Sequence, residues 1–247
     1  MSAYKRQEVK LVPEDIGFKN IWVAFFDILG FEKLVINSKT VLDFYRIKQN
    51  YEETIQYLRK SCDSYREDIL EYTWFSDTFL IITQDGSPSA YVVIQQAAKR
   101  FLINNIYSRV PFRGAVAYGL MYTNTNIHTF IGKALIEAYR YCEDQDWLGL
   151  ILTPSAIKKA REYGLEPLHH DFVEKNIPMR EYDANNVLAY KLSSGRANYS
   201  SPLLPILDEM MHKAPGDSKH KYVRTIEHLK RHYKFIDCNN NQLKSTT

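Results

Sequence analysis

The stretch "WVAFFDILGFEKLV", Trp22–Val35, decides the fold, because an apolar run stops there at a single acid. The run is rich in Val, Phe and Ile, which is typical of a strand buried on both faces, and we predict a strand over residues 21–30. Asp27 stands near the end of this strand. A small turn at Gly30 follows, and a helical pattern begins at Phe31.

Strand and helix patterns alternate along the rest of the chain. Their order, β-α-β-β-α-β-α-β-α-β-β, predicts an α+β fold: a ferredoxin-like (split βαβ) sheet with helices on one face. The segment "ILEYTWFSDTFLIITQDG", residues 69–86, predicts a hairpin with Asp77 at its tip. We assign this sheet domain to residues 1–195. Residues 196–247 are predicted to be a helical C-terminal extension, with helices near 203–213 and 217–236 and a polar tail.

The composition favours a globular protein and argues against several other classes of protein. Of 247 residues, 45% are hydrophobic and 13% aromatic, which is enough for a core, and the net charge of +3 argues against a nucleic-acid binder. The three cysteines share no short spacing, so neither a zinc quartet nor a disulfide framework is expected. No apolar run is long enough for a signal core or a membrane span. We therefore expect a soluble cytoplasmic protein without a membrane or nucleic-acid partner.

The two acids are the candidate chemical groups. In the predicted topology Asp27 and Asp77 face each other across adjacent strands, and their mutual repulsion is relieved by a hard dication, Mg²⁺ or Mn²⁺. The alternative is that Asp27 caps a helix and Asp77 is a turn residue. Beyond Asp27, the turn Ile28-Leu29-Gly30-Phe31 leads into a helix, and we expect its free backbone N–H groups, with Gly30 and Phe31 at the helix start, to bind phosphate.

Four segments in sequence order carry a resemblance: "FFDILGFEKL", "FSDTFLI", "FRGAVAYG" and "IGKALIEAYRYCE". They resemble the motifs of class III nucleotidyl cyclase catalytic domains, and the resemblance covers residues 20–195. It implies two divalent ions per site, Mn²⁺ or Mg²⁺. It also implies that Asp27 and Asp77 bind these ions and that the carbonyl oxygen of Ile28 completes one site.

The same resemblance implies roles for two arginines. Arg113 would contact the triphosphate, and Arg140, eight residues after Gly132, would stabilise the transition state from across the interface of a homodimer with composite active sites. Without the resemblance, Arg113 is a strand-end surface residue and Arg140 an ordinary helix-surface charge. The asparagine that orients the ribose in the family falls on Ile136, so that contact is missing here.

The positions that read a purine in the family hold Thr73 and Thr129, which are short and neutral. In this respect the chain resembles the bacterial Pycsar antiphage cyclases. That implies a pyrimidine substrate, UTP rather than CTP, and a cyclic product read by a separate effector protein. Tyr51 is a candidate base contact, with a core aromatic as its alternative. Arg180, or Lys175, is a candidate for binding the leaving pyrophosphate, with a solvated charge as the alternative.

Two rival functions remain at this stage. One is a catalytically silent cyclase-like domain that binds nucleotides as a regulatory dimer, which the missing asparagine keeps open. The other is a polymerase-like palm, which shares the sheet order and the paired acids. The modest net charge and the lack of a template-binding domain weigh against the palm.

Overall fold

The computed structural model describes residue 12 and residues 16–63, 69–124, 127–165, 172–174, 177–182, 184–192 and 203–232. Its strands are β1 (Lys19–Ile28), β2 (Leu70–Phe75), β3 (Thr78–Thr83), β4 (Phe112–Asn124), β5 (Thr129–Gly132), β6 (Leu150–Leu152), β7 (Phe172–Glu174) and β8 (Leu188–Tyr190). Its helices are α1 (Phe31–Asn37), α2 (Val41–Asp63), α3 (Pro88–Tyr107), α4 (Lys133–Asp144), α5 (Pro154–Glu162), α6 (Leu203–Lys213) and α7 (Lys219–His232). Across these segments, no helix is both long and apolar enough to traverse a bilayer.

The strands form one sheet in the order β2-β3-β1-β4-β6-β8-β7, and β5 pairs with β4. The central strand β1 runs antiparallel to both β3 and β4, while β4 and β6 are parallel. This arrangement confirms the predicted α+β class, and the elements follow the predicted order except that the short strand β5 between β4 and α4 was not predicted. It also brings the last residues of β1 beside the start of both β3 and β4.

Helices cover both faces of the sheet, so the expectation of helices on one face is wrong. Phe26 packs edge-on against Phe101 of α3 with ring centroids 5.0 Å apart, while Phe25 packs against Tyr139 of α4 at 5.5 Å. Consecutive strand residues point to opposite faces. Helices α3 and α4 therefore lie on opposite sides of β1, which explains why the strand is apolar at nearly every position.

Two element boundaries differ from the predicted ones. The strand predicted over 21–30 is shifted by two residues, since β1 ends at Ile28 and Gly30 turns left-handed, at φ 77°, before α1. The continuous helical pattern after Phe31 is divided between α1 and α2. The second helix starts where the Asp43 carboxylate accepts a hydrogen bond from the Thr40 N–H at 2.9 Å, as in a helix cap.

The two C-terminal helices pack against the sheet domain. The Thr225 hydroxyl of α7 accepts a hydrogen bond from the Leu148 N–H at 2.8 Å, and His228 lies 3.1 Å from the Tyr190 carbonyl oxygen. In α6, Glu209 forms an ion pair with Arg109 at 2.9 Å. The helix predicted at 203–213 is present as α6. Within the described residues, α7 covers Lys219–His232 of the helix predicted at 217–236, and residues 233–236 lie outside the described part. The boundary between residues 195 and 196 stays a prediction.

Candidate active site

The two predicted acids lie at the same edge of the sheet. Asp27 is the penultimate residue of β1, and its register partner on β3 is Thr78, the residue that follows Asp77. The Ile28 N–H donates a hydrogen bond to the Asp77 carbonyl oxygen at 3.1 Å, which ties the hairpin tip to the strand end. The fold therefore brings together two acids that are far apart in the sequence.

The hairpin tip is a two-residue turn, Ser76-Asp77, between β2 and β3. Ser76 has φ +54°, a left-handed conformation in the first central position of the turn. Turns with positive φ at this position match the twist of the flanking strands. The tight turn leaves Asp77 half-buried and fixes its backbone beside the end of β1.

Asp27 belongs to a network of three charged side chains, of which Asp27 and Arg113 are nearly buried and Glu143 is 40% exposed. Its Oδ2 atom accepts hydrogen bonds from both Nε and Nη2 of Arg113, at 3.0 and 2.9 Å. The other edge of the guanidinium binds Glu143 of α4, through the carboxylate and through the carbonyl oxygen at 2.7 Å. The side chains of Asp27 and Arg113 are 14% and 8% exposed. Arg113 thus aligns Asp27 and joins it to the end of α4.

The environment of Asp27 favours its protonated form. Burial raises the pKa of Asp27 from 3.8 to about 6, Arg113 opposes this rise, and the negative charges of Glu143 and Asp77 add to it. Arg113 divides its charge between two carboxylates, so it does not fully offset the cost of burial. A further cation at this edge would stabilise the ionised carboxylate.

These residues fit a divalent cation that is held jointly with a phosphate ligand. Asp27 Oδ1 makes no hydrogen bond with any residue of the described part, and the Asp77 carboxylate and the Ile28 carbonyl are its neighbours in the fold. Within that part, no three His, Cys, Asp or Glu side chains are grouped closely enough to hold a metal alone. Mg²⁺ commonly binds through one or two carboxylates and completes its shell with water and substrate phosphates. The metal-binding role of these residues stays a prediction.

Aromatic rings support the turn after Asp27. The Phe31 ring, at the start of α1, lies 6.2 Å from that of Tyr51, which lies 5.8 Å from that of Phe79. Burial and the negative charge of Asp77 both raise the pKa of the Tyr51 hydroxyl. Tyr51 is therefore a packing residue beside Asp77, and its role as a base contact stays a prediction.

The two threonines at the predicted base-reading positions occupy different parts of the sheet. Thr73 on β2 pairs with Leu80, and the same row across the sheet reaches Ala115 on β4. Thr129 pairs with Asn124, nine residues farther along β4. Neither position carries a charge. Their contact with a nucleobase stays a prediction.

Arg140 lies on the outer side of α4, at an open concavity of about 300 Å³. The concavity is lined by Lys133, Ile136, Glu137, Arg140, Tyr141 and Tyr182. Ile136, which replaces the asparagine of the family motif, is 51% exposed there. Arg140 is exposed and forms no hydrogen bond or ion pair with the part of the chain that the structure describes. Its guanidinium is thus available to a ligand or to a second protomer.

Lys221 is a charged residue at this site that the sequence did not reveal. It lies on α7, its side chain is 11% exposed, and burial lowers its pKa from 10.5 to about 8. The positive charges of Arg113 and Arg180 also lower this pKa, whereas Glu143 and Asp27 raise it. The sequence alone does not indicate that Lys221 lies near Asp27 and Arg113, because it is one of several basic residues in the pattern of an amphipathic helix.

Arg180 is exposed, and its loop is held by Asp144. The Asp144 carboxylate accepts hydrogen bonds from the N–H groups of Arg180, Glu181 and Tyr182 at 3.2, 2.8 and 2.9 Å. The Arg180 side chain is left free of hydrogen bonds to described residues, and its charge is felt at Lys221. Its alternative for the same role, Lys175, lies outside the described residues.

Comparison with known proteins assigns the fold. No protein-family model and no curated protein matches the chain. Two structures of adenylate cyclases from Trypanosoma brucei, in their monomeric state, match at a TM-score of 0.50 and 14% identity. The matches cover 76% and 78% of this chain, and 93% and 96% of those chains. The chain has the fold of a class III nucleotidyl cyclase domain.

The cyclase fold is the architecture that the four sequence motifs predicted. It accounts for the mixed sheet with helices and for the position of Asp27 and Asp77 at one edge. The Pycsar-like character of the chain is a separate matter and stays a prediction.

Proposed function

We propose that this protein is a nucleotidyl cyclase, which converts a nucleoside triphosphate into its 3′,5′-cyclic monophosphate and pyrophosphate. The observation that carries the proposal is the convergence of Asp27 and Asp77 at one edge of a cyclase-fold sheet. Arg113 fixes the orientation of Asp27, and one oxygen of Asp27 remains available. A purely structural acid pair has no need of such an arrangement.

Divalent ions, two Mn²⁺ or Mg²⁺ per site, would act as Lewis acids on the ribose 3′-oxygen and the triphosphate. Asp27, Asp77 and the Ile28 carbonyl are the groups that would hold them. Asp27 is also a candidate to accept the proton of the 3′-hydroxyl, because one of its carboxylate oxygens makes no hydrogen bond with any described residue.

In the cyclisation, the ribose 3′-oxygen forms a bond to the α-phosphorus, and the bond from that phosphorus to the bridging oxygen of pyrophosphate breaks. Negative charge increases on the leaving group, so cations placed there stabilise the transition state. Arg180 is an exposed cation that is suited to this end of the substrate. Arg140 would stabilise the same charge from the partner protomer.

Unpartnered apolar surface supports a homodimer with composite sites. Ile131, Ile136 and Tyr139 are half-exposed around Arg140. A second exposed apolar group lies on α1 and α2 and consists of Leu34, Val35, Ile36, Val41, Leu42, Phe44 and Tyr45. Exposed apolar patches of this kind mark interaction surfaces. A dimer that covers them would let Arg140 reach the site of the other protomer.

A pyrimidine substrate is the finer part of the proposal. Thr73 and Thr129 supply short neutral hydrogen-bonding groups, and Ile136 supplies an apolar surface. We favour UTP, which gives cyclic UMP, with CTP and cyclic CMP as the alternative. The product would act as a second messenger in antiphage defence, in the cytoplasm, through a separate effector protein.

The test offers each of the four ribonucleoside triphosphates with Mn²⁺ and identifies products by mass spectrometry. We expect cyclic UMP, or cyclic CMP under the alternative, and none from a variant that carries both Asp27→Asn and Asp77→Asn. A folded protein that makes no cyclic nucleotide from any of the four would overturn the proposal. That result would favour the silent regulatory domain.

A further inference from the structure

The C-terminal extension reaches across the edge of the sheet that carries the two acids. Asp217, in the short turn before α7, forms an ion pair with Lys33 of α1, the helix that follows the turn after Asp27. One turn into α7, Arg224 forms an ion pair with Asp146, just beyond the end of α4. The start of α7 is therefore anchored on both sides of the Asp27 network.

The orientation of Lys221 on α7 is fixed by its neighbours. Thr225, one turn later on the same face, accepts the Leu148 N–H at 2.8 Å and lies 2.9 Å from the Lys221 carbonyl oxygen. Residues four apart on a helix share a face. Lys221 therefore faces the sheet domain, which agrees with its low exposure of 11%.

The Lys221 ammonium has few partners for a group in this position. Its nearest carboxylate oxygen, Asp146 Oδ1, lies 4.0 Å away, and Asp146 is also bound by Arg224 and by His220 at 3.0 Å. Among the described residues, no acceptor lies within hydrogen-bonding distance of Lys221 Nζ. An ammonium group carries three donors, and leaving them without acceptors in a nearly buried place is costly. An anionic ligand would supply the missing acceptors.

Arg113 cannot supply this ligand with donors in its present arrangement. Its Nε and Nη2 atoms bind Asp27, Nη2 also binds Glu143, and Nη1 donates to two main-chain oxygens, of Glu143 and Gln145, at 2.7 and 3.5 Å. Arg113 thus serves to orient Asp27. Two cations of the described part, Lys221 and Arg180, make no side-chain hydrogen bond with described residues, and each charge acts on the other, since Arg180 lowers the pKa of Lys221.

We propose that Lys221 and Arg180 form the subsite for the terminal phosphates of the substrate and for the pyrophosphate that leaves. The inference rests on the proposed function and assigns part of that site to the C-terminal extension. Lysine binds phosphate as a point charge, and its interaction is strengthened where burial lowers the effective dielectric. The extension would then complete the active site rather than merely cover it.

The test measures binding of inorganic pyrophosphate to the full chain by calorimetry in the presence of Mn²⁺. We expect Lys221→Gln to weaken binding by about tenfold or more, and Lys221→Arg to retain it within about threefold, because the charge is kept. Lys230→Gln is the matched control, since Lys230 is an exposed lysine of the same helix, and it should bind as the unchanged protein does. Arg180→Gln should weaken binding as well.

Lys221→Gln that binds pyrophosphate as tightly as the unchanged protein, with the same circular dichroism and a melting temperature no lower than that of the unchanged protein, would overturn the inference. If this variant does not fold, Lys221→Met, which keeps the apolar stem, takes its place with the same expected loss. Pyrophosphate binding requires no turnover, so the outcome is separate from the proposed function. If Lys221→Gln loses affinity for pyrophosphate and the unchanged protein cyclises no nucleotide, the subsite is supported and the cyclase proposal is rejected. If Lys221→Gln binds pyrophosphate normally and is active, the cyclase proposal is supported and the subsite is rejected.

Discussion

Arg113 holds Asp27 through one carboxylate oxygen, Oδ2, and leaves Oδ1 without a hydrogen bond from any described residue. One oxygen therefore orients the carboxylate, while the other is available to a ligand. The pair is buried, so the orientation is maintained with little competition from water. Loss of a group that aligns a metal-binding side chain typically lowers metal affinity or activity by about 10- to 100-fold.

Replacing Arg113 with lysine tests this alignment. Lysine keeps the charge but cannot donate two fixed hydrogen bonds to one oxygen. We expect Arg113→Lys to fold and to lower kcat/KM by about 10- to 100-fold. Arg109→Lys changes an exposed arginine paired with Glu209 and should leave activity unchanged. Equal activity of both variants in a steady-state assay would contradict the aligning role.

Asp77→Asn tests the second acid. The amide keeps the size of the side chain but removes the charge that a dication requires, and we expect at least about a 100-fold loss of turnover. The fold should persist, because the turn is held by the main-chain hydrogen bond from Ile28. Asp208→Asn, on the exposed face of α6, is the control. Circular dichroism checks the fold, and substantial residual cyclisation by the folded variant would reject the metal role.

The raised pKa of Asp27 predicts how stability without metal depends on pH. The folded state retains the proton up to about pH 6, whereas the unfolded chain releases it near 3.8. The free energy of unfolding should therefore fall between about pH 4 and pH 6, by up to about 3 kcal/mol. Mn²⁺ competes with this proton, so the stabilisation it provides should increase over the same range. Urea unfolding at several pH values measures both effects, and Asp27→Asn should abolish the Asp27-dependent step.

Complementation tests whether Arg140 acts across a dimer. Neither Arg140→Ala nor Asp77→Asn should be active alone, but a mixed dimer would contain one intact site. After subunit exchange of equal amounts, activity should return to about a quarter of that of the unchanged protein. A mixture of Asp27→Asn with Asp77→Asn should regain nothing, because both changes affect the same half of the site. Exchanged dimers that stay inactive in the first mixture would exclude action in trans.

Lys221 should reduce the stability of the fold. Its pKa is lowered from 10.5 to about 8, so the folded state releases the proton more readily than the unfolded chain. Stability should increase as the pH rises from about 8 to 10.5, and at pH 7 the charged group should cost up to about 3 kcal/mol. Lys221→Met should accordingly stabilise the protein in urea unfolding, while Lys230→Met should not. A destabilised Lys221→Met protein would contradict this.

The sequence predicted the parts of the site that depend on local pattern. The apolar run before Asp27 predicted a strand that ends close to this residue, and the two polar residues Ser76 and Asp77 predicted the hairpin tip. The hairpin tip is confirmed, whereas the strand ends at Ile28, two residues earlier than predicted. The apolar run of β1 also predicted that this strand is buried on both faces. That burial indicates helices on both sides of the sheet, although we expected them on one face.

Other parts of the site depend on tertiary contacts that leave no local pattern. From the sequence, Glu143 is predicted to be an exposed acid on a helix. Its contact with Arg113 becomes evident only from the structure, where the β1–β4 register places Arg113 beside Asp27. Lys221 reaches the site because α7 packs against the sheet domain. The hydrophobic pattern of α7 indicates that one face of the helix is buried, but it does not indicate which element covers that face. No spacing rule connects Lys221 with Asp27.

The ion pair between Lys33 and Asp217 joins positions 184 residues apart. Contacts between such distant positions bear a large loop-closure cost until the intervening sheet has assembled. On refolding from denaturant, the carboxylate edge would then be complete before α7 docks on it. The protein would pass through a stage that can take up a metal ion but holds pyrophosphate weakly.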